Sequence, residues 1–502
     1  MKVQDIDMQA VVAGKHRLTP VEALTLYQQA STHDLGQWAF AVAQRKLAEA
    51  YPQHQGKVRT YVIDRNINYT NVCSANCTFC AFKRDLGEQG SYTLTTGQLH
   101  EKVRQLTAIG GTQILLQGGM HPELPIEFYE DMLRGLKAEF PQVHIHGFSP
   151  PEVVEFIAIF KLEGFPVTAP GHSHEMPWEV WIAKGEAILR RLRQAGLDSI
   201  PGGGGEIFAP AVRRRIGLGK ATAAQWLEVM SMAHRLGMST SATMMFGHIE
   251  GLADRIDHLE RVRQAQDQAI LKGWPGRYVS FIAWPFQREN TPLGRVKEWD
   301  RDEAAVTGEK FPGDALAEMI MEGKVDGESK ADCDAAMPDA GKRLRSAGAV
   351  DYLRTQALAR LYLDNVLSIG ASWVTMGPKI GQMGLYYGAS DMGSVMMEEN
   401  VVSAAGTTYC LDEPVLCHLI RSAGFMPAQR DNRYQLLKVH DTDAAPDLQV
   451  KDWSAHRAKR LHHESHEATT DDQQTAIAAA SKTMPQTDHQ GMVTLTISEN
   501  TP

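Results

Sequence analysis

Short runs rich in β-branched residues alternate with longer stretches of helical periodicity from residue 58 onward. Helical stretches such as Thr96–Ile109 and Leu252–Gln268 separate these runs. The alternation predicts parallel strands with right-handed crossovers. Polar and glycine-rich clusters recur just after successive runs, which favours an α/β fold with a (β/α)8 TIM-type barrel, complete or nearly so, over an open doubly wound sheet. The predicted strands are Arg59–Ile67, Gln113–Gln117, Val143–Gly147, Asp198–Ile200, Thr240–Phe246, Tyr278–Trp284, Ile369–Val374 and, less distinctly, Ala389–Ser394.

Regions of different character flank and interrupt this pattern. Residues 1–57 predict a helical extension, in which Thr19, Pro20 and Glu22 form the signature of a capping box. The barrel is expected over 58–440, with insertions near 160–178 and 294–349. The longer insertion follows a strand end, so it is a candidate cover for the barrel mouth. Residues 441–502 form a polar tail that we expect to be disordered and dispensable for chemistry.

Composition excludes several classes of function. The chain has 502 residues and a net charge of −9, which gives no sign of a nucleic-acid surface. No apolar run approaches the roughly 20 residues that span a bilayer, and the first residues lack the pattern of a signal peptide. Three of the six cysteines, Cys333, Cys410 and Cys417, show no spacing typical of a disulfide framework. We therefore expect a reducing, cytoplasmic compartment and no membrane insertion.

The other three cysteines lie within eight residues of one another, in Cys73-Ser-Ala-Asn-Cys77-Thr-Phe79-Cys80. Three thiolates can hold three irons of a cubane and leave the fourth iron open to a chelating substrate. A zinc site would favour a fourth ligand and a second C-x2-C pair, neither of which follows here. The spacing therefore predicts an iron–sulfur cluster with Cys73, Cys77 and Cys80 as ligands.

Further candidates follow the later strands. Glycines of Gly202–Gly205 after the fourth strand indicate backbone packed closely against a ligand, with Glu206 beside them. His144 and His146 share one face of the third strand, and Ser149 stands just past its end. Histidines in strands are often hydrogen-bonded core residues, but two on one face next to a strand end favour a functional site.

The closing aromatic residue of the cysteine motif resembles the signature of radical S-adenosylmethionine (SAM) enzymes. The resemblance implies one 4Fe–4S cluster on the three cysteines, SAM on the open iron and Phe79 against the adenine. Members commonly carry Gly-Gly-Glu where this chain has Gly110-Gly111-Thr112, so that segment is expected to contact SAM despite losing the carboxylate. Ser149, Gly202 and Gly203 are the further cofactor contacts that we expect.

Eight segments are similar to those of one family in that superfamily, the dehypoxanthine futalosine cyclases of futalosine-dependent menaquinone biosynthesis. They are Asn68–Cys73, Gln117–Pro122, Phe148–Glu152, Ser199–Gly204, Met244–His248, Trp284–Gln287, Ser372–Thr375 and Glu398–Val402. The resemblance implies that a 5′-deoxyadenosyl radical abstracts hydrogen from C4′ of the ribose of dehypoxanthine futalosine. The carbon radical then closes onto the benzoate ring, and loss of an electron and a proton restores aromaticity.

This chemistry implies two further participants. An external low-potential electron donor, such as flavodoxin or ferredoxin, would reduce the cluster. A base would remove the final proton, and Glu206, His121 and His146 are the candidates, in no order.

Two alternatives stay open. Sister radical SAM enzymes, aminofutalosine synthase and the deazaflavin-precursor synthase, share the cysteine motif and the barrel but act on other substrates. A non-catalytic iron–sulfur carrier is the second alternative, although carriers usually ligate every iron with protein. Iron content together with SAM cleavage separates an enzyme from a carrier.

Overall fold

A computed structural model describes residues 1–407, 409–442, 445–453 and 493–494. The helices are α1 (Met8–Val12), α2 (Pro20–Gln29), α3 (Thr32–Ala50), α4 (Thr96–Ala108), α5 (Ile126–Glu139), α6 (Pro150–Ile159), α7 (Trp178–Ala195), α8 (Pro210–Ile216), α9 (Ala223–Arg235), α10 (Leu252–Leu271), α11 (Arg301–Thr307), α12 (Pro312–Met321), α13 (Lys330–Ala336), α14 (Ala349–Tyr362), α15 (Trp373–Met376), α16 (Pro378–Gly384), α17 (Val401–Ala404) and α18 (Glu413–Ser422).

The strands follow the same order along the chain. They are β1 (Val58–Val62), β2 (Asp64–Asn68), β3 (Asn76–Cys77), β4 (Gln113–Gln117), β5 (His144–Gly147), β6 (Gly217–Leu218), β7 (Thr240–Phe246), β8 (Tyr278–Pro285), β9 (Ser368–Gly370), β10 (Asp391–Ser394), β11 (Glu398–Glu399), β12 (Met426–Arg430), β13 (Leu436–Val439) and β14 (Val493–Thr494).

Parallel pairing closes these strands into a ring. β2 pairs with β4, and β4 with β5. Parallel bridges from His146 to Ser199 and from Ile200 to Thr240 carry the ring on to β7. β7 pairs with β8, β8 with β9 and β9 with β10, which returns to β1. The predicted (β/α)8 barrel is confirmed, and the least distinct strand of the prediction, the eighth, is present as β10.

Three of the predicted strands differ most from the observed ones, and others differ by one or two residues at an end. The first strand is divided at Ile63, because β1 pairs with β10 and β12 while β2 pairs with β4. The fourth shrinks to the bridges at Ser199 and Ile200, since Pro201 and the glycines after it cannot extend a regular ladder. The seventh ends at Gly370, and the chain from Trp373 is helical instead.

The N-terminal helices pack on the outside of the barrel against α10 and α14. The capping box is observed at the start of α2, where the Glu22 amide donates to Thr19 Oγ1 (3.2 Å) and the Thr19 amide donates to Glu22 Oε2 (2.8 Å). Among the described helices, none has the length and apolar character needed to cross a membrane.

The longer insertion folds into α11, α12 and α13 and packs beside α8. A small apolar cluster of Ala211, Leu316, Cys333 and Ala340 joins it to that helix. None of the described residues from 294 to 349 lines the central cavity, which disfavours this insertion as a cover for the mouth. Other apolar residues of the insertion, Ala317 and Leu344, are buried in the main core, and α12 packs against α10.

The C-terminal segment closes the other end of the barrel. β12 pairs in parallel with β1, and β13 returns antiparallel to β12. Arg430, Asn432 and Tyr434 thereby reach the floor of the cavity. The tail predicted to be disordered lies largely outside the described residues, although 445–453 is described and the Leu448 amide donates to the Pro414 carbonyl (3.1 Å).

Candidate active site

The cysteine loop follows β2 at the carboxyl end of the barrel. Cys73, Cys77 and Cys80 are partly buried and line a central cavity of about 510 Å³. Neighbouring backbone holds the loop, because the Cys73 amide donates to the Arg84 carbonyl (3.1 Å) and the Cys80 amide donates to the Cys77 carbonyl (3.2 Å). The loop is therefore preformed around its three sulfurs.

The donor set fits an iron–sulfur cluster. Burial raises the pKa of the Cys77 thiol to about 12 and raises that of Cys73, so these sulfurs need a cationic partner to become thiolates. Among the described residues, no three His, Cys, Asp or Glu side chains converge closely enough to hold a single metal ion. A structural zinc site is closed by a fourth protein ligand, whereas a multi-iron cluster takes its ligands at separate irons, so three thiolates suit the cluster.

The glycine pair that packs under the cysteine loop is Gly118-Gly119, after β4. A Cβ on Gly119 would lie 2.0 Å from the Val72 carbonyl oxygen and 2.9 Å from Cys73 Cβ. A Cβ on Gly118 would lie 2.5 Å from the ring of Tyr69. Only glycine permits this close approach, so the pair positions the cysteine loop against β4.

The structure does not bring Gly110, Gly111 and Thr112, the residues predicted to contact SAM, to the cysteine loop. These residues precede β4, at the amino end of the barrel, whereas the cysteines lie at the carboxyl end. None of the three lines the cavity formed by the described residues. Gly110 has a φ of 81° just past α4, as in an ordinary helix C-terminus.

The turn after the fourth strand is fixed by side chains from its neighbours. Arg213 donates to the carbonyls of Gly204 (2.9 Å) and Gly205 (2.7 Å), and the Trp226 indole donates to that of Gly203 (3.0 Å). A Cβ on Gly202 would lie 2.8 Å from the Ser241 carbonyl oxygen. Gly202 and Gly203 line the cavity, so the structure brings both together with the cysteine loop.

Glu206 and Phe79 meet through a lysine that the sequence analysis missed. Lys220 Nζ donates to Glu206 Oε1 (2.7 Å) and stands 4.8 Å from the centre of the Phe79 ring. Glu206 is buried, and its Oε2 has no hydrogen-bond partner among the described residues. Lys220 carries no motif of its own, since only the fold brings β6 and its following turn beside β3.

Glu152 ties three strand ends together. Its Oε2 accepts from the amide and the hydroxyl of Ser149 (both 2.7 Å), which begins α6. Its Oε1 accepts from the Tyr69 hydroxyl (2.7 Å) and the Gly118 amide (3.0 Å). Burial raises the pKa of Glu152 to about 7. Ser149 lines the cavity as expected, but its hydroxyl donates within the protein, and the Ser-x-x-Glu spacing was the signal for this arrangement.

The histidine candidates separate by location. His144 Nε2 and His146 Nδ1 both lie 2.6 Å from Ser199 Oγ, as expected of residues on one strand face. His146 lines the cavity, and burial lowers its pKa well below the usual value, so the ring is neutral. His121 is buried, with Nδ1 accepting from the Glu123 amide (3.2 Å), and it is not among the described residues that line the cavity.

The cavity continues from the cysteine loop down to a polar floor. Asp391 accepts from Arg430 Nε (2.8 Å) and from the Thr60 hydroxyl (2.5 Å), which closes the bottom with a buried ion pair. Trp284, Phe286 and Trp373 contribute apolar walls. A volume of about 510 Å³ is in the range for small-molecule sites, so a ligand can lie beneath the cysteine loop.

Comparison with protein families and with curated relatives agrees with this site. Residues 67–262 match the family model described as the Radical SAM superfamily, and residues 334–442 match the CofH/MqnC C-terminal region. The chain is 35% identical over 430 residues to cyclic dehypoxanthine futalosine synthase of Halalkalibacterium halodurans, covering 86% of this chain and 94% of the relative.

Two other relatives carry different names. A 5-amino-6-(D-ribitylamino)uracil–L-tyrosine 4-hydroxyphenyl transferase of Methanopyrus kandleri is 35% identical, over 79% of this chain and 89% of the relative. Aminodeoxyfutalosine synthase of Thermus thermophilus is 33% identical, over 86% of this chain and 95% of the relative. Among solved structures, the FeFe-hydrogenase maturase HydG of Carboxydothermus hydrogenoformans aligns with a TM-score of 0.56 and 15% identity, over 86% of this chain and 80% of that one.

The closed barrel and the three cysteines at its mouth define the class, a radical SAM enzyme, which uses a 4Fe–4S cluster and SAM. Relatives of differing activity lie at 33–35% identity, so this class is broader than any single reaction. The chain belongs to the radical SAM family whose members carry the CofH/MqnC C-terminal region.

Proposed function

We propose that this enzyme converts dehypoxanthine futalosine to its cyclic form, in futalosine-dependent menaquinone biosynthesis. One observation carries the proposal: all eight segments that resemble the dehypoxanthine futalosine cyclases contribute residues to the wall of one cavity. They come from positions as far apart as Asn68 and Val402. Residues retained only for packing would be spread through the fold, whereas these surround a single ligand site.

The chain's own residues bind and orient the reactants. Cys73, Cys77 and Cys80 would hold the cluster, and Phe79 would pack against the adenine of SAM. When bound, the reduced cluster and SAM supply the 5′-deoxyadenosyl radical that abstracts hydrogen from the substrate ribose. Apolar walls such as Trp284 exclude water from that radical. The electron comes from an external low-potential donor, such as flavodoxin or ferredoxin.

A proton must leave the ring after cyclisation, and we propose His146 as its acceptor. His146 lines the cavity at the middle of the barrel, where its ring is within reach of a ligand below the cysteine loop. Lys220 Nζ lies 2.7 Å from Glu206 Oε1 and holds this carboxylate at the level of the cysteine loop. Glu206 is therefore better placed to contact SAM than to accept the final proton. His121 is not among the described residues that line the cavity, which favours His146 over it.

The test is anaerobic turnover of the reconstituted enzyme with SAM, a reductant and dehypoxanthine futalosine, followed by mass spectrometry. We expect 5′-deoxyadenosine and a product two hydrogens lighter than the substrate. Parallel reactions with 5-amino-6-(D-ribitylamino)uracil and L-tyrosine test the activity named for the Methanopyrus relative. A coupled product there, with no cyclised product from dehypoxanthine futalosine, would refute the proposal.

A further inference from the structure

A pocket at the amino end of the barrel is lined by five arginines. Its volume is about 690 Å³, and it lies between the ends of α7 and α9, the segments that lead into β7 and β8, and the turn between β12 and β13. The arginines are Arg190, Arg193, Arg235, Arg277 and Arg433. No aspartate or glutamate is among the described residues that line this pocket, although the whole chain has a net charge of −9. The positive charge is therefore a local feature of the pocket.

Helix ends account for three of these arginines. Arg193 lies in the last turn of α7 and Arg235 in that of α9, where the helix dipole and the free carbonyls favour cations. Arg193 donates to the Leu236 carbonyl. Arg190 and Arg235 both pair with Glu186 (3.4 and 2.8 Å). These three side chains have partners in the protein and need no ligand to explain them.

Arg277 and Arg433 have no such explanation. Arg277 directly precedes β8 and Arg433 lies between β12 and β13, so neither belongs to a helix. Both are exposed, and neither side chain forms a hydrogen bond or ion pair among the described residues. The carboxylate of Asp431, two residues before Arg433, accepts from the backbone amides of Arg433 and Gln435 (both 2.8 Å). Like charges repel, so two unpaired guanidiniums beside three others make this pocket attractive to an anion.

We propose that this pocket binds a phosphate-bearing anion, and that Arg277 and Arg433 hold the phosphate. A guanidinium presents parallel N–H donors that match the spacing of phosphate oxygens. Ser239, half-buried in the pocket wall, adds a hydroxyl. A volume of about 690 Å³ is in the range for small-molecule sites and exceeds what one phosphate fills. The phosphate belongs either to a soluble diphosphate or to the headgroup of an anionic phospholipid.

The arginine pocket lies on the outer side of the floor of the central cavity. Val279, the second residue of β8, lines both the pocket and the cavity. Asn432 and Tyr434, on either side of Arg433 in the chain, also line the cavity. The seven residues of β7 span about 20 Å, so the pocket is at the opposite end of the barrel from the cysteine loop. A ligand there is therefore not SAM, and its binding does not depend on which reaction the enzyme catalyses.

The first experiment titrates the full-length protein with inorganic pyrophosphate in a calorimeter. We expect one saturable site, which weakens as salt is added because exposed charges are screened. Arg277→Gln and Arg433→Gln should each weaken binding at least tenfold, as the loss of a charge-assisted hydrogen bond predicts. Arg295→Gln is the matched control. Arg295 is also exposed and also forms no ion pair among the described residues, but it is outside the pocket, so this variant should bind as wild type does.

A second experiment identifies the source of the phosphate by sedimentation with vesicles. Protein that binds pyrophosphate but stays in solution beside phosphatidylglycerol vesicles takes a soluble ligand. Protein that sediments with phosphatidylglycerol vesicles and not with phosphatidylcholine vesicles takes an anionic headgroup, provided that Arg277→Gln and Arg433→Gln abolish the sedimentation and Arg295→Gln does not. Either result supports a phosphate site in the pocket.

Three results would overturn the proposal. Wild-type protein that neither binds pyrophosphate saturably nor sediments with phosphatidylglycerol vesicles would refute it without any variant. Binding that Arg277→Gln and Arg433→Gln both leave unchanged would place the anion elsewhere. An equal loss of binding in Arg295→Gln would show general attraction to surface charge only. Because all three arginines are exposed, we expect each variant to keep the circular dichroism spectrum of the wild type.

Discussion

A buried carboxylate on the far side of β2 offers the sharpest test of what holds the site together. Glu398 is fully buried and accepts from Arg65 Nε (2.7 Å), from Lys102 Nζ (2.6 Å to each oxygen) and from Asn400 Nδ2 (3.0 Å). It joins β2 and α4 to the segment that supplies Val401 and Val402 to the cavity. Glu398→Gln keeps the shape but leaves two buried cations without their counter-charge.

The expected loss of stability in Glu398→Gln can be worked out in two ways. Although burial opposes it, attraction to Lys102 and then Arg65 lowers the pKa of Glu398 from 4.5 to about 2. That difference corresponds to about 3 kcal/mol of stabilisation at neutral pH. Removing one partner of a buried ion pair costs about 3–5 kcal/mol in other proteins. We therefore expect Glu398→Gln to lower the free energy of unfolding by about 3–5 kcal/mol at pH 7.

The pH dependence has a definite sign. Because the folded pKa is depressed, the carboxylate's contribution is complete above about pH 5 and is lost as the pH falls toward 2. The difference between wild type and Glu398→Gln should thus shrink below pH 4.5. Guanidinium unfolding followed by circular dichroism at several pH values measures both quantities.

A control lies on α4, the helix that carries Lys102. Glu101 contacts Arg104, but the side chains are 46% and 55% exposed, so Glu101→Gln should cost less than about 1 kcal/mol. If Glu398→Gln unfolds within 1 kcal/mol of wild type at pH 7, or if the two variants behave alike, then the buried triad does not stabilise the fold as argued.

Two further predictions concern the cluster and the SAM site. Cys77→Ser should lose bound iron and all formation of 5′-deoxyadenosine, measured by iron analysis and chromatography, whereas Cys333→Ser, packed against α8, should keep both. Gly202→Ala should raise the KM for SAM at least tenfold, because its Cβ would lie 2.8 Å from the Ser241 carbonyl. Gly97→Ala meets nothing within 4 Å and should leave that KM unchanged, so equal effects of the two would contradict the close approach at Gly202.

Local patterns predicted the parts of the fold that depend on local physics. The bounds of β4 and β7 match the predicted runs, because glycine turn signals flank both strands. The capping box at Thr19 was also predictable, since its donors and acceptors lie within one turn.

Local patterns could not predict the features that depend on which strand ends lie next to each other. Gly110 and Gly118 both flank β4, and composition alone does not say which pair faces the cysteines. Lys220 reaches Glu206 only because β6 pairs with β3.

The pairing of β1 with β10 has a consequence for synthesis on the ribosome. Thr60 cannot pair with Asp391, and the ring cannot close, until Asp391 has been synthesised. At typical translation rates that takes roughly half a minute. During that interval the first strand presents an unsatisfied backbone edge, the kind that recruits other chains. The cysteine loop emerges soon after it, whereas the floor residue Arg430 emerges later still. A nascent chain therefore exposes its three clustered cysteines long before the barrel closes around them.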